Sequence, residues 1–244
     1  MITFSGLGNQ GQFGNQLFQI ASTIGIAEKH SYSYGFPEWS YQKYFKNPLP
    51  KGEIWPNENY YEPEFHYNEV SILDNTNISG YLQSEKYFKH CEDFIRLHFE
   101  FSPEFLYKTK TKYSNLLKEK ICAIHVRRGD YVTNHNHHAL SYEYYLKAME
   151  HFKGCVFLVF SDDIEYCKSV FPEHFIFIEG SEMEDFTLMT LCDNFIIANS
   201  TFSWWAAWLS KSENKKIIAP KKWFGPGLKH HKTEDLYCKD WIVI

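Results

Sequence analysis

The chain has 244 residues, of which 44% are hydrophobic and 23% are charged, and its formal net charge is -5. This composition excludes general disorder, and the mild negative charge excludes an overall basic surface for binding nucleic acid. No run approaches the about 18 apolar residues of a membrane span, and no basic flank with an apolar core follows Met1. We therefore expect a cytoplasmic protein with no membrane span.

The N-terminal segment combines a short predicted strand, a glycine-rich turn and an amphipathic helix. Gly6, Gly8 and Gly11 form the pattern G-x-G-x-x-G of a dinucleotide-binding turn, and the apolar residues from position 17 onward recur at helical spacing. An NAD site would also need an acidic residue about twenty positions further on, where Glu28 and Glu38 are the candidates. NAD would leave the arginine pair described below without a role, so the sequence disfavours this interpretation.

Residues 36–67 form a long segment rich in aromatic residues, Pro and Asn, without a clean period, and we expect it to be irregular. A loop of this length is typical of a lid or a binding surface, although its aromatic side chains could instead pack over a sheet. A Lys-rich stretch then ends near Lys118. We predict a first domain at residues 1–118 and a second domain at residues 119–244.

The second half of the chain alternates short apolar segments with helix-like stretches. The apolar segments are ICAIHV, CVFLVF, FIFIEG, FIIANS and KIIAP. Strands that are apolar on both faces and alternate with helices form parallel sheets covered on both sides, so the pattern predicts an α/β fold. In such folds the ligand binds at the carboxyl ends of the strands.

Arg127 and Arg128 directly follow the first of these predicted strands. Two adjacent guanidinium groups at the edge of a buried sheet are costly unless an anion meets them, and their paired donors suit a diphosphate. The alternative is an ion pair with Asp130 or a salt bridge between domains.

Polar residues also follow two further predicted strands. Asp162 and Asp163 can accept hydrogen bonds from a ribose or a base, or this turn can cap the next helix, a role open to Ser161 or Asp162. Residues 200–203 offer hydroxyl and N–H groups at a helix N-terminus, which is an anion site. The three strand ends together favour a nucleotide diphosphate. The tryptophans that follow are expected in the core rather than as sugar platforms: Trp204, Trp205 and Trp208.

Five segments resemble the α1,2-fucosyltransferases of glycosyltransferase family eleven and, more distantly, the α1,6- and protein O-fucosyltransferases. They are GQFGNQLFQIA, ISGYLQSEKYF, HVRRGDY, FSDD and NSTFSWWAAWL, and they extend from Gly11 to Leu209. The resemblance implies a GT-B fold of two Rossmann-like domains with parallel sheets, of which the N-terminal one lies on the acceptor side and the C-terminal one holds GDP-fucose. It implies a galactoside α1,2-fucosyltransferase that moves fucose, with inversion, to O2 of a terminal galactoside in a glycan.

The resemblance also implies roles for particular residues. It makes His125 and Arg127 donor contacts, with Arg127 on the diphosphate and Arg128 supporting it. Asp162 or Asp163 would contact the guanosine. The phosphates and the base would be contacted by Ser200, Thr201, Phe202 and Ser203.

The family pattern maps onto Gly11 to Gln19, so residues 6–10 form an additional, nearly duplicate GLGNQ. The dinucleotide pattern then arises from that duplication. Gly14 is expected to let the backbone approach the donor from the N-terminal domain. Asn15, placed with Gly14 among the donor-binding residues, is also the candidate N-cap of the first helix.

Fucose transfer needs a group that holds the negative charge growing on the departing diphosphate. The chain has no D-x-D motif, so we expect no metal cofactor and assign this role to Arg127 as a fixed cation. Asp130 is the nearest candidate in sequence for the catalytic base. Its alternative role is to orient Arg127 or Arg128.

The cysteines and the clustered histidines are not expected to form a metal site. The six cysteines show no C-x-x-C pattern and are expected to be reduced. His135, His137 and His138 are interpreted as a solvated turn rather than a metal site.

Two alternatives remain open for the function. One is a binding protein that keeps the nucleotide-sugar site without turnover, and the other is a transferase of the same fold that uses another nucleotide sugar. The partners expected from the resemblance are the nucleotide sugar and a glycan acceptor. Cytoplasmic placement would suit a glycan assembled on a lipid carrier.

Overall fold

The computed structural model describes residues 1–52 and 56–244, and the chain folds into two compact units. The first consists of Met1–Pro103 and His231–Cys238, and the second of Glu104–His230 and Lys239–Ile244. Residues 104–118 belong to the second unit by this division, and a domain boundary after residue 118 stays a prediction. Within the described ranges, no helix is both long and apolar enough to cross a membrane.

The first unit contains a parallel sheet with the strand order β2-β1-β4-β3. Its strands are β1 (Ile2–Thr3), β2 (Tyr34–Gly35), β3 (Glu58–Tyr61) and β4 (Thr76–Ser79). Helix α1 (Phe13–Lys29) connects β1 to β2, and its apolar residues are buried, as their helical spacing predicts. Helix α2 (Glu92–His98) follows later in the same unit.

Strand β3 lies inside the segment that the sequence predicted to be irregular. The prediction is wrong for these four residues, Glu58–Tyr61, which pair with β4 in parallel register. Three of them are exposed, so the strand lacks the apolar alternation from which a strand is predicted. Residues 53–55 of the same segment lie outside the described residues.

The second unit contains a six-stranded parallel sheet with the order β10-β9-β8-β5-β6-β7. Its strands are β5 (Ile121–Val126), β6 (Val156–Ser161), β7 (Ile176–Ile178), β8 (Asn194–Ile196), β9 (Ile217–Ala219) and β10 (Ile242–Val243). The five apolar segments of the sequence correspond to β5–β9, whereas the terminal β10 was not predicted. All residues of β5 are buried, which is typical of a central strand covered on both faces.

Among the described residues of this unit, one α-helix precedes these strands, and four lie between them as the sequence predicted. They are α3 (Pro103–Lys112), α4 (Tyr142–Met149), α5 (Ile164–Val170), α6 (Glu182–Thr190) and α7 (Thr201–Leu209). Trp204, Trp205 and Trp208 of α7 are at most 3% exposed, so their assignment to the core is confirmed. The six cysteines all lie in the described ranges and are free thiols. Two parallel sheets with connecting helices confirm the α/β class.

Candidate functional site

Arg127 lies just beyond β5 and is held by two carboxylates. Its Nη2 donates to Asp130 Oδ1 at 2.6 Å, and its Nη1 lies 2.9 Å from Asp162 Oδ2. Its Cζ lies 5.3 Å from the centre of the Tyr131 ring. The ion pair with Asp130, which the sequence left open as an alternative, is therefore present. Because the side chain is 30% exposed and has further N–H donors, it can still meet an anion.

Arg128 is fixed by three contacts with the chain around β6 and α5. Its backbone N–H donates to Asp162 Oδ1 at 2.8 Å, and its Nε donates to Asp163 Oδ2 at 3.0 Å. Its Cζ lies 3.4 Å from the centre of the Tyr166 ring. Arg128 is thus suited to a supporting role beside Arg127.

Asp162 bridges the two arginines, because one carboxylate oxygen accepts from the Arg128 backbone and the other pairs with Arg127. This close approach requires Gly129, since a Cβ at that position would collide with Asp162 Oδ2. Both predicted guanosine contacts, Asp162 and Asp163, are therefore engaged with arginine in this structure. Their contact with a guanosine stays a prediction.

The N-cap of α5 is Asp163, whose side chain accepts from the Tyr166 N–H at 3.3 Å. The prediction that Ser161 or Asp162 caps this helix is wrong, because the N-cap is the next residue, Asp163. Asp162 is turned toward the arginines, and Ser161 Oγ accepts from the Asp163 backbone N–H at 2.9 Å. Asp163 thus caps α5 and also accepts from Arg128 Nε.

His125, within β5, is buried beside the start of α7. Its Nδ1 lies 2.9 Å from Ser203 Oγ, and its ring centre lies 5.4 Å from that of Phe202. Because Ser203 Oγ donates to the Ser200 carbonyl at 3.3 Å, we assign the proton of the neutral ring to Nδ1 and a lone pair to Nε2. Burial, and secondarily Arg127, lowers the pKa of His125 to about 3, so the imidazole is uncharged.

The first turn of α7 contains the predicted residues 200–203. Ser200 is the N-cap, and its side chain accepts from the Phe202 backbone N–H at 3.4 Å. Ser203 is fully buried, whereas Thr201 and Phe202 are partly exposed. A helix N-terminus favours negative charge, so this turn fits an anion at the same sheet edge as Arg127.

Asp185, near the start of α6, belongs to the same sheet edge and was missed by the sequence analysis. It follows β7, which is parallel to β6. Its neighbour Phe186 packs edge-on against Phe202, with ring centres 5.2 Å apart. Within the described part of the chain, Oδ1 of Asp185 is buried and has no hydrogen-bond partner.

The electrostatics of Asp185 are also unusual. Burial raises the pKa of its carboxyl to about 6, although the nearby Gly180 backbone opposes the shift. A half-buried carboxylate with one buried, unpartnered oxygen and a perturbed pKa is typical of a ligand site. The sequence signal that could have found it is its position shortly after the predicted strand FIFIEG.

Gly14 and Asn15 lie in the first unit, both within α1. Asn15 Oδ1 accepts from Gln83 Nε2 at 3.0 Å. The prediction that Asn15 caps this helix is wrong, because the N-cap position is Gln12. The chain turns into the helix at Gly11, which has a φ of +75° and whose carbonyl accepts from Gln16 Nε2 at 3.1 Å.

The histidine turn follows Asp130 in the second unit. His135 is exposed, and His137 and His138 are partly buried. Across residues 1–52 and 56–244, no cluster of three or more His, Cys, Asp or Glu side chains is arranged to hold a metal ion.

Comparison with known proteins identifies the family. Residues 9–244 match the model of Glycosyl transferase family 11. The chain belongs to glycosyltransferase family 11. This membership confirms the resemblance that the motifs from Gly11 to Leu209 indicated. The match begins at residue 9, inside the 6–10 segment, so the assignment of that whole segment as additional stays a prediction.

Relatives of the chain include bacterial and animal members of this group. The chain is 32% identical over 219 residues to the O-antigen biosynthesis glycosyltransferase WbnK of Escherichia coli, a match that covers 81% of this chain and 68% of WbnK. It is 36% identical over 170 residues to an alpha-1,2-colitosyltransferase of Escherichia coli, covering 63% of this chain and 58% of that protein. It is 25% identical over 270 residues to bovine galactoside alpha-(1,2)-fucosyltransferase 1, covering 96% and 74%.

Solved structures with a similar fold are also fucosyltransferases. The fucosyltransferase NodZ from Bradyrhizobium superposes with a TM-score of 0.56 at 13% identity, covering 84% of this chain and 92% of NodZ. POFUT1 in complex with GDP gives a TM-score of 0.56 at 12% identity, covering 89% and 97%. These likenesses confirm the GT-B fold class that the resemblance implied.

Proposed function

We propose that this chain is an inverting galactoside α1,2-fucosyltransferase that moves fucose from GDP-fucose to O2 of a terminal galactoside in a glycan. The observation that carries the proposal is the position of Arg127. Its guanidinium stands at the carboxyl end of β5, oriented by Asp130 and Asp162, in a member of glycosyltransferase family 11.

Arg127 holds the charge of the leaving group in this proposal. As the bond from the anomeric carbon to the β-phosphate breaks, negative charge grows on the diphosphate. A guanidinium already fixed by two carboxylates reorganises little at that moment, and its stabilising effect is therefore largest in the transition state. Asp130, bonded to Arg127 at 2.6 Å, acts as a positioning residue, which favours the second of its two predicted roles.

The first turn of α7 completes the diphosphate site. Its N-terminal end is positive, and the Ser200 cap fixes its backbone. Behind it, the neutral His125 bonds Ser203 without adding further positive charge beside Arg127 and Arg128. Arg128, stacked on Tyr166 of α5, supports the arrangement beside Arg127.

Asp185 is the group that we assign to the guanine base. Guanine presents two adjacent N–H donors on one edge, and a carboxylate can accept both. Asp162 and Asp163 already accept from the arginines, whereas the buried Asp185 Oδ1 lacks a partner in the described part of the chain. This assignment replaces the guanosine contacts expected from the sequence.

Metal independence is part of the proposal. It rests on the absence of a D-x-D motif from the sequence and on the fixed cation Arg127. Activity should therefore survive excess EDTA. A loss of turnover that Mn²⁺ or Mg²⁺ restores would assign the leaving-group charge to a metal instead.

A second candidate function differs in the donor sugar. The relative that is 36% identical is named as a colitosyltransferase, so a related active site moves a different sugar. Incubating the enzyme with a galactoside and either GDP-fucose or GDP-colitose separates the two. Faster turnover with GDP-colitose would replace fucose as the transferred sugar.

We further infer that the acceptor glycan is carried by a lipid in the cytoplasm. The support is the name of WbnK, which assigns that relative to O-antigen biosynthesis. Transfer to a lipid-linked oligosaccharide should exceed transfer to the same free oligosaccharide. Equal rates would remove the lipid carrier from the proposal.

Nucleotide binding is the first experimental test. A ligand present at about a hundred times its dissociation constant stabilises the native state by roughly 2.7 kcal/mol, which a thermal-shift measurement detects. We expect GDP to raise the melting temperature, and UDP, CMP and NAD to leave it unchanged. A response to NAD alone would instead restore the dinucleotide interpretation of Gly6, Gly8 and Gly11. Turnover of GDP-fucose with a galactoside then distinguishes the enzyme from a binding protein.

A further inference from the structure

A cavity of about 430 Å³ opens over the loop that follows Asp130 in the second unit. Residues 131–135 and 137–139 line it together with Pro226, and we call it the 131–139 cavity. Its lining combines an aromatic ring, hydroxyl and amide groups and three imidazoles, without a lysine, an arginine or a carboxylate. Such a lining suits the hydroxyl groups and the ring face of a neutral sugar.

The walls of this cavity are held by backbone hydrogen bonds. The N–H groups of Gly225 and Gly227 donate to the carbonyls of Asn136 and His135 at 2.9 and 3.1 Å. Gly225 allows this approach, because a Cβ there would collide with the carbonyl oxygens of His135 and His137. The histidine turn is thus ordered on one side by the 225–227 turn, which contains no titratable side chain.

Asn199, at the end of β8, ties the same loop to the sheet edge. Its Nδ2 donates to the carbonyls of His138 and Trp223 at 2.9 and 2.7 Å. The backbone carbonyl of Asn199 accepts a hydrogen bond from the Tyr131 hydroxyl at 3.2 Å. The loop is therefore preformed beside the first turn of α7, which a binding site requires.

Two ring contacts connect this cavity to Arg127. The Tyr131 ring centre lies 5.3 Å from Arg127 Cζ, and the His137 ring stacks on Tyr131 with centres 4.2 Å apart and planes 3° from parallel. A reacting hydroxyl must lie about 3–3.5 Å from the anomeric carbon. That carbon is joined through one oxygen to the β-phosphate assigned to Arg127, so the acceptor has to bind within this neighbourhood.

The two candidate bases near Arg127 differ in their availability. Asp130 Oδ1 already accepts a hydrogen bond from Arg127 Nη2 at 2.6 Å. His137 has a neutral ring at pH 7, because burial and Arg127 lower the pKa of His137 while Asp130 raises it. A neutral imidazole can accept a proton, and its position in the cavity wall places it beside any sugar bound there.

Resting on the proposed function, we propose that the 131–139 cavity binds the acceptor sugar and that His137 accepts the proton of its reacting hydroxyl. The reacting sugar is thereby assigned to the second unit, whereas the sequence led us to expect the acceptor on the N-terminal domain. The hydroxyl oxygen forms a bond to the anomeric carbon as the bond from that carbon to the β-phosphate oxygen breaks. The electron pair of the broken bond leaves on GDP. The hydroxyl proton passes to the His137 ring, which returns it to solvent through the open side of the cavity.

The first test compares His137→Gln with His174→Gln, the substitution of an exposed histidine outside the cavity. For His137→Gln, we expect transfer to a galactoside to fall about 100-fold or more, the contribution typical of a general base. The GDP-induced thermal shift should stay unchanged, because His137 has no contact with the nucleotide in this proposal. The acid limb of the pH–rate profile, present in the wild type and in His174→Gln, should disappear.

The second test uses the wild-type protein and so does not depend on a folded variant. Diethyl pyrocarbonate modifies accessible imidazoles, and mass spectrometry locates the modified residue. We expect a galactoside acceptor to protect His137 and to leave His174 reactive. GDP alone should not protect either residue.

The outcomes separate this inference from the proposed function. Near-normal transfer by His137→Gln with an intact acid limb, or no protection by the acceptor, would overturn the role of His137. A wild-type protein that neither responds to GDP nor turns over GDP-fucose would instead overturn the proposed function.

Discussion

Arg128 and Tyr166 form a cation–π pair in which the guanidinium carbon lies 3.4 Å from the ring centre. Tyr166 lies in the first turn of α5, and Asp163, the N-cap of that helix, accepts from Arg128 Nε. The start of α5 thus fixes Arg128 by two side chains. Arg127 is instead held by two ion pairs and is partly exposed, so its guanidinium can also bind a diphosphate. This difference explains why the two adjacent arginines have different roles.

Replacing Tyr166 tests the supporting role of Arg128. A cation–π contact at a partly exposed site contributes about 0.5–1 kcal/mol, so Tyr166→Leu should weaken GDP binding roughly 2- to 5-fold. Tyr166→Phe keeps the ring and serves as the control, and its GDP affinity should match the wild type. Titration calorimetry measures both. An equal loss in the two variants would show that the hydroxyl, and not the ring face, matters.

Arg127→Lys tests the catalytic role of the guanidinium. Lysine keeps the charge but lacks the planar fork of donors, and removing a preorganised donor commonly lowers kcat about 100- to 1,000-fold. We expect a much smaller effect on the dissociation constant of GDP, because the contact strengthens as the bond breaks.

The matched control for Arg127→Lys is Arg96→Lys, in which the replaced arginine pairs with Glu92 inside α2. Its turnover should stay near the wild-type value. Turnover is measured with saturating GDP-fucose and a galactoside. Near-normal kcat for Arg127→Lys would refute the role that we assign to Arg127.

Asp130→Asn distinguishes a positioning residue from a base. Because Asp130 bonds Arg127 at 2.6 Å, its loss should weaken GDP binding and turnover together and keep the acid limb of the pH–rate profile. The measurements are a GDP titration and a pH–rate profile for the same variant. Intact GDP binding with loss of the acid limb would make Asp130 the base.

Much of the second unit could be predicted because its strands carry their own signal. A strand such as β5, which is buried at every residue, is visible in the sequence as a nearly continuous apolar run. The residues that follow such a strand lie at the carboxyl edge of the parallel sheet, where ligands bind. This placed Arg127 and Arg128 correctly beyond β5. Strand β3 gave no such signal, because its residues are mostly exposed and its partner β4 lies 15 residues further along the chain.

The finer geometry of the site depends on which partners side chains choose, and a sequence does not fix that choice. From the sequence, Asp162 is a candidate cap of α5. In the structure it pairs with Arg127 instead, because the absence of a Cβ at Gly129 lets the Asp162 carboxylate lie close to the backbone there. Asp185 was missed because its distinguishing property is burial in three dimensions, not spacing. The order of the histidine turn likewise comes from the distant residues 225–227.

Gly129→Ala should disturb the arginine pair more than the fold. The added Cβ would push Asp162 Oδ2 away, and a carboxylate at the end of a side chain can rotate without moving the backbone. Losing an ion pair of about 1 kcal/mol should weaken GDP binding roughly fivefold. We expect the melting temperature of the apoprotein to change by only a few degrees.

The control for Gly129→Ala is Gly6→Ala, where the nearest atom to the added Cβ is Phe4 Cε1 at an ordinary 3.5 Å. Thermal unfolding and GDP titration are measured for both variants. Unfolding of Gly129→Ala at much lower temperature would show that the glycine serves the backbone and not the contact with Asp162.

Asp185→Asn should raise stability at neutral pH and weaken GDP binding. The folded-state pKa is about 6, above the ordinary 3.8, so the stabilising contribution of the protonated carboxyl is complete below pH 3.8 and is lost as pH rises through 6. Above pH 6, burying the charge costs about 3 kcal/mol, because the pKa is raised from 3.8 to about 6. The amide is neutral throughout, so the variant should gain stability relative to the wild type as pH rises from about 4 to 7.

The same substitution should raise the dissociation constant of GDP about 10- to 100-fold, because the hydrogen bonds that a carboxylate accepts contribute about 1.5–3 kcal/mol. GDP favours the ionised carboxyl, so wild-type affinity should increase with pH up to about 6, and affinity of the variant should lack this dependence. Asp240→Asn, at an exposed position of the second unit, is the control for both measurements. If the variant is more stable at pH 7 but binds GDP normally, Asp185 is a buried charge that does not bind guanine. Only the GDP-binding measurement tests the contact with guanine.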